Sequence, residues 1–143
     1  MCAALVSARA LDVDQLPIKL GDTYDNVKEA YQTTLEPETL ERSAIPGSTS
    51  LRLKTKGVWF FFDRSGKIYT IRLDAPFAGK VAGIKIGDTT ARMMKVLGKP
   101  AKTPVPITNM MPRSFIYYPD DTTTVQFQTA PNTEDIETIF IVK

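Results

Sequence analysis

Apolar side chains recur along this chain at two spacings, and the spacings alternate. After Thr23 the stretch YDNVKEAY sets Val27, Ala30 and Tyr31 at i, i+3, i+4, one face of a short helix. Thr23 suits the N-cap, Asp25 suits the positive end of the helix dipole, and Pro37 forbids a long continuation. After Thr89 the stretch TARMMKVLGKP repeats the arrangement with Met93, Val96 and Leu97. There Gly98 and Pro100 supply the stop. Downstream of each helix the spacing drops to two. SLRLKTK, GVWFFFD and GKIYTIRLD follow the first helix; SFIYYPD, TTVQFQT and DIETIFIVK follow the second. Each set of three runs is rich in β-branched and aromatic residues and is punctuated by turn chemistry, so the runs predict strands.

The two helices are also introduced alike, by IKLGDT at Ile18 to Thr23 and IKIGDT at Ile84 to Thr89. The match extends through helix phase and strand order. It predicts an α+β fold: two tandem helix-plus-antiparallel-meander repeats, about 16–76 and 82–143, forming one continuous antiparallel sheet with helices on one face. A single domain of 143 residues results, because neither unit buries its sheet face well alone. A phosphate-loop reading of Gly-Asp-Thr fails, since each copy has one glycine and no Gly-Lys-Ser/Thr follows.

A sheet with helices on one face has a second face. If Asp63-Arg64-Ser65-Gly66 closes a hairpin, Phe62 pairs with Lys67, Phe60 with Tyr69 and Val58 with Ile71. Val58, Phe60, Phe62, Tyr69, Ile71 and Leu73 then form the core face. Trp59, Phe61, Ile68, Thr70 and Arg72 form the other, joined by Gln126, Gln128, Thr138 and Phe140. Trp, Phe and Arg are enriched at protein–protein contacts, and an exposed patch of them points to a partner. Met110 and Met111, in the Pro-rich loop AKTPVPITNMMPRS, offer an adaptable contact surface beside it. The competing expectation is that this loop or the N-terminal segment lies across the face.

Composition narrows the function classes. Hydrophobic content of 43% and charged content of 24% are ordinary for a globular domain. A net charge of +2 with scattered lysines argues against a nucleic-acid track. Histidine is absent and Cys2 is the single cysteine, which removes the commonest general base, an internal disulfide and a Cys/His zinc site. Asp120-Asp121 and Glu134-Asp135-Glu137 lack EF-hand spacing and read as solvated turn carboxylates. No cofactor, metal or enzymatic activity is expected, and no stretch is apolar enough to span a bilayer. The first ten residues, MCAALVSARA, end in an A-x-A pattern at Ala8-Arg9-Ala10. They fit the tail of a signal peptide, a lipidated Cys2, or a plain cytosolic terminus.

The letters IKIGDTTARMMKVLGKP, and more weakly IKLGDTYDNVKEAYQ, resemble the helix-entry motif of the beta-lactamase inhibitor protein. They are also similar to the single-unit SmpA/OmlA outer-membrane lipoproteins. The first copy has Tyr31-Gln32-Thr33-Thr34 where the pattern carries Leu-Gly-x-Pro. What the resemblance implies is protein binding through the open sheet surface and its edge loops. The expected function is a small bacterial immunity or inhibitor protein, secreted to the periplasm or cell envelope, that neutralises a toxin or enzyme. The alternative is an envelope lipoprotein scaffolding outer-membrane assembly.

Overall fold

The computed structural model describes residues 11–40, 45–106, 108 and 110–143. Cys2 and the Ala8-Arg9-Ala10 pattern lie outside them, and with them the signal-peptide and lipid-anchor expectations. The chain is α+β. Helices α1 (Tyr24–Tyr31) and α2 (Thr90–Leu97) accompany strands β1 (Glu38–Thr39), β2 (Thr49–Leu53), β3 (Val58–Phe62), β4 (Ile68–Asp74), β5 (Ser114–Tyr117), β6 (Thr124–Thr129) and β7 (Ile136–Val142). The strands form one seven-stranded sheet in the order β1-β2-β3-β4-β7-β6-β5, and every pairing is antiparallel.

Each letter of the two IKxGDT stretches has a structural task. Ile18 and Ile84 are buried. Gly21 and Gly87 sit at φ of 90° and 97°, in the region that penalises any Cβ. Asp22 Oδ2 accepts the Lys19 N–H, and Asp88 Oδ2 accepts the Lys85 N–H, each at 3.0 Å. Gly21 N–H donates to Ile68 O and Ile68 N–H to Asp22 O, at 2.9 and 2.8 Å. Gly87 and Ile136, then Ile136 and Asp88, repeat both bonds at 2.8 Å. Each corner is thereby pinned to the first residue of a strand, β4 or β7, ahead of a helix start. The caps differ. Thr89 Oγ1 accepts from Arg92 N–H at 3.2 Å, whereas Asn26 Oδ1 reaches back to the Thr23 N–H at 2.9 Å.

Alternation along the strands builds the core. Leu51, Leu53, Val58, Phe60, Phe62, Ile71, Leu73, Phe115, Val125, Phe127, Ile139 and Ile141 are buried in one cluster with Val27 of α1 and Met93 of α2. The Tyr31 ring at the end of α1 lies 5.9 Å from that of Phe60. Tyr31 pays for that position, since its hydroxyl is buried without a partner among the described residues. The segment from Leu11 to Leu20 runs over the core side, where it flanks a cavity of about 270 Å³ also lined by Ile71 and Ile141. These described residues therefore do not cover the opposite face.

The hairpin register departs from the sequence expectation. Phe62 is opposite Ile68, Phe61 opposite Thr70, Phe60 opposite Ile71 and Val58 opposite Leu73, with a bulge between Phe61 and Phe62. The turn explains this. Asp63 Oδ1 accepts from the Ser65 N–H, the Ser65 hydroxyl and the Lys67 N–H, so Lys67 belongs to the turn. The extra residue is Tyr69, which leaves the ladder and stands 6.4 Å from Phe61 by ring centroids. A bulge switches side-chain parity. Ile68 is consequently 1% exposed in the core, and its expected place among the partner-contacting residues is withdrawn. Tyr69 leaves the core set for the same reason.

Candidate functional site

The face opposite the core carries a row of side chains in register across six strands. Arg52 on β2 pairs with Trp59 on β3, Trp59 with Arg72 on β4, and Arg72 with Phe140 on β7. Gln126 on β6 and Ile116 on β5 complete it. Cations and aromatics alternate in its first four positions, and they stack. The Arg52 guanidinium carbon lies 5.0 Å from the Trp59 ring centre. That of Arg72 lies 5.5 Å from Trp59 and 5.4 Å from Phe140. Phe61 stacks on Trp59 at 5.1 Å and 28°. These distances lie within the range of cation–π attraction and offset stacking.

Arg72 is the keystone of the row. Its Nε donates to Asp74 Oδ2 at 3.0 Å and Oδ1 at 3.3 Å, and Asp74 Oδ1 also accepts the Thr138 hydroxyl at 2.8 Å. The guanidinium plane is thus fixed within the chain, with the side chain 35% exposed. Trp59 is half-buried by its neighbours, and its indole N–H is buried without a hydrogen-bond partner among the described residues. Behind Trp59 the chain passes at Gly57, where an added methyl would collide with the Asp74 carbonyl oxygen and the Phe77 nitrogen. Gly57 O accepts the Asp74 N–H at 2.9 Å, so the β2–β3 turn rests against the strand that carries Arg72.

Gln126 and Gln128 share this face but form a different surface. Both amides donate to the Ser114 hydroxyl, at 3.1 and 3.4 Å. Thr138, paired with Gln128, is 4% exposed and bound to Asp74. Met110 and Met111 are 80% and 42% exposed in the loop before β5. Ser114 lies at the far edge of the sheet, four strand spacings or roughly 19 Å from β3. Three residues of chain span about 11 Å at most. Met111 is therefore tethered to the β5 edge of the sheet, the end of the row away from Arg52.

Two of the carboxylates that lack calcium-loop spacing, Asp120 and Glu134, have structural work. Asp120 Oδ1 accepts from the Thr122 N–H and hydroxyl, which hold its carboxyl below the ordinary range. Glu134 accepts from the Thr90 hydroxyl and the Arg113 guanidinium, with the same effect and in that order of importance. Among the described residues no group of three His, Cys, Asp or Glu side chains could hold a metal ion. Among them too, no helix is long and apolar enough to cross a membrane.

Sequence reading missed Arg52. SLRLK alternates Leu-Arg-Leu, so the outward place of Arg52 was legible in the same way as that of Arg72. It also missed the Asp74–Thr138 clamp, which joins residues far apart in the chain.

No family model matches the chain, and no curated protein matches it. A solved structure, that of a cysteine-rich secretory protein from Staphylococcus aureus subsp. aureus Mu50, is similar in fold. The TM-score is 0.61 and identity is 9%, over 87% of this chain and 43% of that one. The chain therefore spans less than half of that relative. At such identity the likeness concerns the fold alone.

Proposed function

We propose that this chain is a protein-binding module that neutralises a cognate toxin or enzyme in the manner of a small immunity or inhibitor protein. The observation that carries this is the preorganised row Arg52–Trp59–Arg72–Phe140 on the sheet face away from the core. Stacked aromatics and a clamped guanidinium are the side chains that dominate binding energies at protein interfaces. They lose little entropy on docking, because neighbours already hold them. On this reading the chain acts by occupying its partner, not by chemistry. Its place of action is the periplasm or cell envelope.

The reading includes an origin for the face. The chain is taken as two copies of one module, about 16–76 and 82–143, joined through the β4–β7 pairing. The paired Gly-Asp corners, each bonded twice to the start of a strand, support this. So does the entry of Val27 and Met93 into one cluster, as two helices on the same face require. Joining the modules sets Arg72 beside Phe140 and completes the row.

The test is neutralisation. The gene beside this one is expressed in a heterologous host with and without this chain. The expected result is toxicity of the neighbour, rescue by the wild type, and loss of rescue with Trp59→Ala shown to be folded by circular dichroism. Undiminished rescue by that variant would remove the face from the binding site.

A further inference from the structure

Beside the row, where β2 forms the sheet margin, lies a groove of about 530 Å³ lined by residues 31–33, Leu35 and residues 52–56. Its origin is local. β1 pairs with β2 only at Glu38–Ser50 and Thr39–Thr49. The pairing stops before Pro37, whose ring fixes φ at about −65°. The chain peels away there. Leu35 turns its backbone elsewhere: its carbonyl accepts the Tyr24 hydroxyl at 2.7 Å and its N–H donates to the Thr33 hydroxyl at 3.1 Å. These bonds hold the wall apart from β2.

The exposed margin is chemically specific. Leu40 N–H bonds Ser48 O across the two strands. By the alternation of an antiparallel ladder, Ser50 and Arg52 then present their N–H and C=O to the same side as Ser48. Ser50 has Glu38 opposite it there, whereas Arg52 has no strand residue. The lining carries three cations, Arg52, Lys54 and Lys56, and no carboxylate. None of the three forms an ion pair among the described residues. Leu35, 52% exposed, and Leu53 supply apolar wall. Tyr31 also lines the groove, and buried polar groups left without a partner in this way are few in native proteins.

We infer that this groove takes an acidic, extended segment of a partner protein, which adds to β2 in line with β1. Its backbone bonds Arg52, its carboxylates meet Arg52, Lys54 and Lys56, and an apolar residue packs between Leu35 and Leu53. This deepens the protein-binding reading by giving the partner a chemistry, and it rests on that reading for the occupant being polypeptide. Addition of a strand to an open edge uses main-chain bonds for affinity and side-chain pockets for choice.

The probe is an N-acetylated, C-amidated heptapeptide alternating glutamate and leucine, titrated into the whole chain. Trp59, the sole tryptophan, reports through its emission, because the Arg52 guanidinium lies over its ring. Amide NMR shifts map the contact. Saturable binding is expected, with shifts concentrated at residues 31–35 and 51–56. Charge reversal of two exposed lysines, Lys54→Glu with Lys56→Glu, should weaken it about tenfold or more. N-methylation of the central peptide bond should weaken it likewise, by removing the strand hydrogen bonds. The inference is overturned by equal binding of the lysine–leucine counterpart, by shifts confined to the Trp59–Arg72–Phe140 face, or by absence of saturation at millimolar peptide. It is also overturned if a single-stranded oligonucleotide or anionic lipid vesicles bind the same residues more tightly than the peptide. The titration needs no toxin, so its failure is separable from failure of the Trp59→Ala neutralisation test.

Discussion

The outer face of this sheet has two halves with one backbone geometry and two chemistries. On β2, β3, β4 and β7 the row is Arg52, Trp59, Arg72 and Phe140, a stack of cations and rings. On β6 and β5 the same row continues as Gln126 and Ile116, and the polar groups close on one another through Ser114. The first half has an unmet donor in its indole and a charge clamped in place. The second half satisfies itself. Equal position in a sheet therefore does not mean equal readiness to bind: unspent interaction capacity lies in the first half.

The largest contrast is expected in binding. Trp59→Ala should cost about 2 kcal/mol or more of partner affinity, measured by calorimetric titration. Gln126→Ala with Gln128→Ala should cost under about 1 kcal/mol, since those amides are already engaged. Equal losses from the two halves would erase the distinction.

Next comes the clamp. Arg72→Ala removes two stacking contacts and one partner of Asp74, leaving that half-buried carboxylate to the Thr138 hydroxyl. We expect about 1 kcal/mol of lost stability in urea titrations, the range of a charged hydrogen bond in a partly exposed site. Asp74→Asn should lose less. An Arg72→Ala variant as stable as wild type would mean that the clamp holds geometry without contributing energy.

Much of this contrast was legible in the sequence, and the limits of legibility are physical. Strand alternation placed Trp59, Phe61, Arg72, Gln126, Gln128 and Phe140 on the outer face, because parity survives any even shift of register. Ile68 defeated it, because the Asp63 carboxylate draws Lys67 into the turn and expels Tyr69 as a bulge. Met110 and Met111 were attached to the face by composition, and strand order ties their loop to its β5 end. The edge groove left no motif. It follows from β1 ending its pairing at Glu38–Ser50, which only the β1–β2 register reveals.

A smaller effect separates stability from binding at the groove. Burial pushes the Tyr31 phenol up to about 12 from an ordinary 10.0. The folded value exceeds the unfolded one, so this group's contribution is complete below pH 10 and is lost as pH rises toward 12. Tyr31→Phe should flatten the alkaline limb of a stability profile. At neutral pH it should unfold no more easily than wild type, because the hydroxyl it removes has no partner. Binding of the glutamate–leucine peptide should nonetheless weaken. A variant that gains or keeps stability while losing affinity marks a group retained for its ligand. Matched losses of both would make Tyr31 merely structural.

The smallest effect concerns how each half is anchored at its turn. In the first, Asp63 closes the β3–β4 turn on itself, and hydrogen bonds from Ser65 and then Lys67 hold its carboxyl low. In the second, Glu134 ties the turn before β7 to Thr90 at the start of α2 and to Arg113 beside β5. Both carboxyls are depressed, so their contributions are present above the ordinary carboxylate range and fade as pH falls through the folded values. The difference lies in reach. Protonating Asp63 loosens one hairpin, whereas protonating Glu134 weakens side-chain ties that reach both a helix start and a strand edge, the Thr90 N–H to Glu134 O bond remaining. Both are solvated, so the change in global stability is small. Amide exchange should detect it: at about pH 3 the first turn of α2 loses more protection than the first turn of α1. Glu134→Gln should reproduce that loss at neutral pH, and equal exchange in the two helices at low pH would show that Glu134 anchors nothing beyond its own turn.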